Sequence, residues 1–198
     1  MQGIFQRCQG CSWFTSIKLA SGFFQLPIAE SDRHKTAFRD AFGQLWEYVR
    51  CGFGLKILPP AIASIVAGLL SEFRGNGVEY YLDDILIYTK DFDEHIALIQ
   101  VVLSSLQSAG LSVNFSKPRW CCASLEFDGM IVDRRGVQPV ESKTAAIAAL
   151  PPPSIVEDLI AFLGMTGYLR KFVEGYSMLA APLTDILRNK AFASKRTK

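Results

Sequence analysis

The sequence predicts an α+β chain, in which a mixed sheet-and-helix portion is followed by a small all-helical portion. Three observations carry this. Two β-rich runs, Val78 to Leu82 and Ile85 to Thr89, are separated by Asp83-Asp84 and read as a tight hairpin. Apolar residues recur at helical spacing on either side of that hairpin. After Gly136 the strand pattern stops, and helical stretches broken by Pro151-Pro152-Pro153 take over. The boundary falls near residue 135, giving portions 1–135 and 136–198.

Each element has a local cause. Phe14 to Leu19 is a short β-like run ended by Ala20-Ser21-Gly22. Residues 23–52 mix aromatics with Arg33, Lys35, Arg39 and Arg50, and read as short strands and turns. Pro59-Pro60 opens a helix, since proline suits a first turn. Its apolar stripe is Ile62, Ile65, Val66, Leu69, Leu70 and Phe73, and Gly75-Asn76-Gly77 stops it. Asp91 and Glu94 mark the start of the next helix, where Ile96, Ile99, Leu103 and Leu106 recur until Gly110. Leu111 to Phe115 and Leu125 to Val132 read as further strands, the second with Leu125, Phe127, Gly129 and Ile131 on one face. In the last third, Glu141 to Leu150 is helical. Ser154 and Glu157 form a capping box for a second helix with the stripe Ile155, Leu159, Phe162 and Leu163. A third helical segment covers Leu179 to Leu187, with Pro182 near its start or at a kink.

Composition bounds the function. With 198 residues, 49% hydrophobic and 20% charged, the chain has enough apolar content for one or two compact domains. Charged residues interrupt every long apolar stretch, so no membrane-spanning helix is expected. The opening residues lack a secretory pattern, which points to an intracellular location, cytoplasm or nucleus. A net charge of +2 selects no partner. The closing Lys195-Arg196-Thr197-Lys198 suits phosphate contacts or a solvated tail. Five cysteines, an odd number, argue against a disulfide framework. Cys8 and Cys11 have zinc-like spacing, but the adjacent Cys121 and Cys122 serve poorly as a second pair.

The chemistry concentrates at Tyr81-Leu82-Asp83-Asp84. Two consecutive carboxylates in a hairpin repel one another unless a cation or strong donors neutralise them. Magnesium, a hard oxygen-seeking ion, would do so. Nucleotidyl transfer uses two such ions roughly 3.5–4 Å apart, one activating a hydroxyl and one steadying the leaving pyrophosphate. The same pair also fits an ordinary acidic turn, and the surrounding motifs decide between the two.

Those motifs resemble the reverse transcriptases of gypsy-like LTR-retrotransposon (retrovirus-related) Pol polyproteins. The run from Phe14 to Ile28 resembles their first polymerase motif, and Ser31 to Phe38 the fingers segment that follows. Phe53-Gly54-Leu55-Lys56 with Pro59 resembles the next motif, and Tyr81 to Asp84 the catalytic hairpin. Ala109 to Asn114 with Lys117 resembles the next strand, and Glu126 to Val132 the primer-grip hairpin. Phe162-Leu163-Gly164, Tyr168 to Phe172 and Ala180 to Thr184 resemble the thumb. The order and spacing cover nearly all of residues 13–188.

The resemblance implies a right-hand polymerase palm with part of the fingers over 1–135, then a helical thumb or connection region over 136–198. It implies DNA synthesis on an RNA or DNA template-primer from deoxynucleotide triphosphates, with Mg2+. Asp83 would bind metal and Asp84 would assist electrostatically or as a ligand, both as catalytic residues. Phe23 would stack under the sugar and exclude a 2′-hydroxyl, Phe53 would line the nucleotide pocket, and Lys117 would lie near the pyrophosphate. Phe23 and Phe53 also read as plain core aromatics. His95 resembles a surface position of the family, while His34, between Arg33 and Lys35, reads as exposed.

The chain departs from the family pattern at Lys18, where the family has an aspartate that bridges both metals. A Lys18–Asp83 pair at about 4 Å could reach about 4 kcal/mol at an effective dielectric of about 20, before desolvation, and would compete with magnesium. Ala63 stands where the family usually has glutamine, and Asp128 where it has leucine. The N-terminal fingers and the RNase H and integrase regions of a polyprotein are not recognised in the sequence. Three expectations follow: a reverse-transcriptase domain with little or no activity, a non-catalytic nucleic-acid-binding remnant, or a chain that folds poorly and aggregates through exposed apolar edges.

Overall fold

The computed structural model describes residues 7–116 and 118–188, so Lys117 and the basic stretch from Lys195 to Lys198 lie outside the described residues. The residues fall into two compact units, one of residues 7–128 and 132–137, the other of residues 129–131 and 138–188.

The first unit is built on a four-stranded sheet in the order β4-β5-β1-β6. Its strands are β1 (Trp13–Lys18), β4 (Val78–Tyr81), β5 (Asp84–Thr89) and β6 (Arg119–Cys122). β5 alternates its side chains between two cores, as period-two geometry requires. Ile85 and Ile87 pack with Ile17, against α2 (Leu58–Leu70) and α3 (Phe92–Ser108). Leu86 and Tyr88 point the other way, into a cluster with Cys8, Cys11, Phe14, Leu125, Phe127 and Val132. Being buried on both faces explains why β5 reads as a continuous apolar run. A finger-like extension holds α1 (Glu30–Arg33) and the two-residue strands β2 (Phe38–Arg39) and β3 (Leu45–Trp46). Asp40 fixes that hairpin by accepting from the Phe42 and Gln44 amides and the Trp46 indole, each at 2.9 Å.

Several local expectations are corrected. The acidic hairpin turns at Leu82-Asp83, one residue earlier than the sequence suggests, and Asp84 is the first residue of β5. Leu82 carries φ 55, the left-handed conformation this tight turn needs. In α2, Leu58, Ile62, Val66 and Leu70 are buried while Ile65 stays exposed. The α3 stripe is rotated to His95, Ile99, Val102 and Leu106. Asp91 does cap that helix, accepting from the Asp93 and Glu94 amides. Residues 111–116 form no regular strand, only the isolated bridge Leu19–Val113. Around that bridge the Ala20 amide donates to the Ser112 carbonyl and the Asn114 amide to the Lys18 carbonyl, both at 2.9 Å, while the Gln25 side chain takes the Ser112 amide (2.6 Å) and shares the Ser112 carbonyl (2.9 Å). The expected strand over 125–132 is instead a hairpin of β7 (Ser124–Phe127) and β8 (Met130–Asp133), extended by β9 (Gly136–Pro139). Its turn residues Asp128 and Gly129 have φ 48 and 69, the paired positive angles that Asp-Gly favours.

The second unit holds α4 (Glu141–Ala148), α5 (Val156–Tyr168) and α6 (Tyr176–Arg188), the last with Pro182 inside it. Ile155, not Ser154, caps α5, and Ser154 reaches Asp158 instead. The three helices line an open, largely apolar pocket of about 460 Å³ between residues that include Ile147, Phe162, Tyr176 and Leu183. The Tyr176 hydroxyl meets Thr166 Oγ1 at 2.9 Å at its edge.

His95 is fully buried, against the expectation of a surface position. It lies between Thr15 Oγ1 (2.8 Å from Nε2) and Thr89 Oγ1 (3.0 Å from Nδ1). Thr89 already donates to the Asp91 carbonyl, so it accepts from Nδ1–H, and Nε2 accepts from Thr15. Thr15 in turn accepts from the Cys121 amide at 3.0 Å. Every group is then satisfied by a neutral ring, and burial holds the His95 pKa below its ordinary value. The unfolded chain takes up this proton as pH falls through about 6.5, while the folded chain resists it. Stability is therefore complete above that pH and is lost below it, at up to about 1.4 kcal/mol per pH unit, until the folded ring also protonates. Urea midpoints at successive pH values between 7.5 and 5 should fall, and the His95→Gln variant should show a shallower fall.

Candidate functional site

The site forms where β1 ends beside the β4–β5 hairpin. Lys18 is the last residue of β1 and pairs in register with Asp84. The Leu19 amide donates to the Asp83 carbonyl at 3.1 Å, and the Asn114 amide to the Lys18 carbonyl at 2.9 Å. Lys18 is thus held by its backbone from both sides. Its Nζ lies 3.1 Å from Asp84 Oδ1 and 3.6 Å from Asp83 Oδ2.

Burial opposes the Lys18 charge, but the Asp84 hydrogen bond and the attraction of both carboxylates outweigh it, holding its pKa above the ordinary lysine value. Lys18 therefore keeps its charge throughout the neutral range. The side chains are 48% (Lys18), 27% (Asp83) and 31% (Asp84) exposed. At that exposure water screens the pair, and its net contribution is about 1 kcal/mol or less. The lysine matters for what it occupies more than for what it stabilises.

Gly22 and the helical turn Gly22–Gln25 lie beneath the hairpin. A Cβ on Gly22 would sit 2.7 Å from Ile62 Cδ1, so glycine lets this turn approach α2, while Asp83 Cβ at 3.6 Å would be in ordinary contact. Ile62 is fully buried and has little room to yield. Gly22→Ala is expected to cost about 1–2 kcal/mol in denaturant unfolding. Adding Ile62→Val, which removes the clashing methyl, should recover part of that loss. A purely additive double variant would count against this contact.

Phe23 packs half-buried against the core beneath this turn. Phe53 is 77% exposed and meets Phe23 edge-on at 6.0 Å and Phe24 at 5.1 Å between ring centroids. Phe53 is therefore not a core aromatic. It borders a cleft of about 380 Å³ that also includes Phe24, Lys35, Thr36 and Tyr48. The structure thus brings Asp83, Asp84 and Lys18 together and pairs Phe23 with Phe53. Gln25, which sequence reading passed over, also accepts and donates here, with a further bond to the Ala20 carbonyl at 2.5 Å. It seats residues 111–114 beside Lys18. Its only sequence signal is its place in the run Phe23-Phe24-Gln25-Leu26.

A family model described as reverse transcriptase (RNA-dependent DNA polymerase) matches residues 2–166. The chain belongs to the reverse transcriptase family. This reverse transcriptase domain is similar to the retrovirus-related Pol polyprotein from transposon opus of Drosophila melanogaster, at 40% identity over 176 residues, covering 89% of this chain and 17% of that protein. It is 34% identical over 176 residues to the Pol polyprotein from transposon gypsy of the same organism, with the same shares covered. The chain thus spans less than a fifth of the length of these relatives. Among solved structures, it resembles a foamy viral protease–reverse transcriptase in complex with double-stranded DNA (TM-score 0.80, 25% identity, 90% of this chain and 31% of that one). It also shares its fold with the same viral enzyme in complex with an RNA/DNA hybrid (TM-score 0.78, 24% identity, 94% and 25% covered). The α+β polymerase fold is that of a reverse transcriptase.

Reverse transcriptases as a family use divalent metal. The donor set of this domain does not fit that ion: two carboxylates both lie within ion-pairing distance of one ammonium. Among the described residues, no group of three or more His, Cys, Asp or Glu side chains is placed to hold a metal. Cys8 and Cys11 are buried within the apolar cluster, and burial pushes the Cys8 thiol up to about 12. No helix among the described residues is long and apolar enough to cross a membrane.

Proposed function

We propose that this chain is the polymerase domain of a retrotransposon Pol polyprotein that still binds a template-primer but is blocked in RNA-directed DNA synthesis at Lys18. The observation that carries this reading is the Lys18 ammonium placed 3.1 Å from Asp84 and 3.6 Å from Asp83. In this reading residues 1–135 are the palm with part of the fingers, and residues 136–198 are the thumb or connection region. Asp83 and Asp84 are the catalytic and metal-binding carboxylates of the family, with Lys18 in place of the third. Phe23 excludes a 2′-hydroxyl from the sugar of an incoming deoxynucleotide triphosphate, and Phe53 borders its pocket.

Nucleic acid as partner is supported by the complexes formed by the related viral enzyme, one with DNA and one with an RNA/DNA hybrid. Exposed Lys35, Arg39 and Arg50, with the half-buried Arg33, supply charges along the finger-like extension suited to phosphates.

The test pairs binding with synthesis. The chain should bind a labelled RNA–DNA hybrid with an affinity that falls as salt rises, because phosphate contacts release counterions. Given deoxynucleotide triphosphates and magnesium, it should leave the primer unextended. Magnesium-dependent extension at the rate of a family member with the aspartate intact would sink the block at Lys18. Salt-insensitive binding, or none, would sink the nucleic-acid reading.

A further inference from the structure

We infer that Lys18 is a built-in cation: its ammonium stands in for divalent metal at the Asp83–Asp84 hairpin and lets this face hold an RNA–DNA hybrid without magnesium. The inference rests on the reading of the chain as a nucleic-acid-binding domain and goes beyond loss of synthesis, because it assigns the substituted residue a positive role in binding.

Geometry places the charge where a metal would have to go. Lys18 sits opposite Asp84 across the β1–β5 pairing, and the bonds from the Leu19 amide to the Asp83 carbonyl and from the Asn114 amide to the Lys18 carbonyl hold its backbone in place. From there the side chain reaches one oxygen of each carboxylate, at 3.1 and 3.6 Å. A dication entering the same space meets a fixed positive charge and finds Asp84 Oδ1 and Asp83 Oδ2 already engaged. Magnesium also demands near-octahedral oxygen ligands and gives up water reluctantly, so two partly occupied carboxylates are a poor site.

Charge decides the consequence for nucleic acid. Two bare carboxylates repel an approaching phosphate backbone unless cations cover them. With Lys18 the three side chains carry a net charge of −1, whereas an aspartate at that position would make it −3. The lysine therefore removes much of that repulsion, and does so without a metal ion.

Two measurements on the unmodified chain, Lys18→Asp and Lys18→Met test this, with circular dichroism checking that each is folded. In the first, electron paramagnetic resonance counts bound Mn2+ without nucleic acid. The unmodified chain should hold none at the hairpin, and Lys18→Asp should bind it. In the second, anisotropy of a labelled RNA–DNA hybrid is compared in EDTA and in magnesium at equal ionic strength. The unmodified chain should change affinity by less than about twofold, and Lys18→Asp should tighten by about tenfold or more with magnesium. Lys18→Met, which removes the charge without adding a carboxylate, should bind more weakly than the unmodified chain in EDTA. Mn2+ binding by the unmodified chain equal to that of Lys18→Asp, or an equal gain in hybrid affinity with magnesium, would overturn the inference. Unweakened binding by Lys18→Met would also overturn it. If none of the three proteins binds hybrid, the nucleic-acid reading itself fails and the binding role falls with it. The Mn2+ measurement would then still show whether Lys18 excludes metal.

Discussion

Lys18→Asp is expected to raise magnesium-dependent primer extension by about 100-fold or more over the unmodified chain, on the order of the effect of one preorganised group that stabilises transition-state charge. The substitution acts twice. It removes the ammonium held between Asp83 and Asp84, and it adds a carboxylate at the end of β1, directly across from Asp84. The scaffold beneath does not have to change, because Leu19 and Asn114 hold this position through backbone groups alone. Extension by the variant alone would identify the lysine as the lesion and the rest of the palm as competent. If neither protein extends although both are folded, the departures at Ala63 and Asp128 share the loss. Equal extension by both would remove Lys18 from the explanation.

Arg7→Ala is expected to cost about 3 kcal/mol of folding stability, at the lower end of the range for breaking a buried ion pair. Glu79, on β4, is 1% exposed, and Arg7 meets its Oε1 at 2.6 Å. The second partner, Arg74, is at 3.7 Å and lies over the Tyr80 ring. Among the described residues, removing Arg7 leaves the buried carboxylate with only that longer ion pair. The Tyr88 hydroxyl nearby offers no relief: burial and the Glu79 charge push it up to about 12, and it has no hydrogen-bond partner among the described residues. Adding Glu79→Gln to Arg7→Ala removes the stranded charge and should recover part of the loss. Guanidinium unfolding of the single and double variants measures both effects. A loss below about 1 kcal/mol for Arg7→Ala would mean that Arg74 and water compensate the carboxylate.

Much of the fold is legible along the chain because its signals are local. Proline at the start of α2, the Asp91 cap of α3 and the triple proline before α5 each act within one or two turns. The ordered series of motifs resembles the reverse transcriptase family before any contact is known. Lys18 is singled out on the same basis, by its place in the run from Phe14 to Ile28.

The readings that failed depend on contacts distant in sequence. His95 looks like a surface residue beside Asp93 and Glu94, yet it is buried because Thr15 and Thr89 arrive from two strands to satisfy both ring nitrogens. The segment after Gly110 has strand-like residues, yet it meets the end of β1 only through an isolated bridge, and the Ser112 amide goes to the Gln25 side chain 87 positions earlier. Glu79 gives no local hint that it is the buried centre of an ion pair with a residue 72 positions earlier.

The sequence by itself determined the family and the order of most elements, since these follow from residue types at fixed spacing. Only the tertiary structure decided that Lys18 reaches both carboxylates, with Asp84 the nearer, that the hairpin turns at Leu82-Asp83, and that Phe53 stands exposed against Phe23 and Phe24. Each of these depends on register between strands and on side chains meeting across long loops, where a shift of one residue changes which face a group occupies.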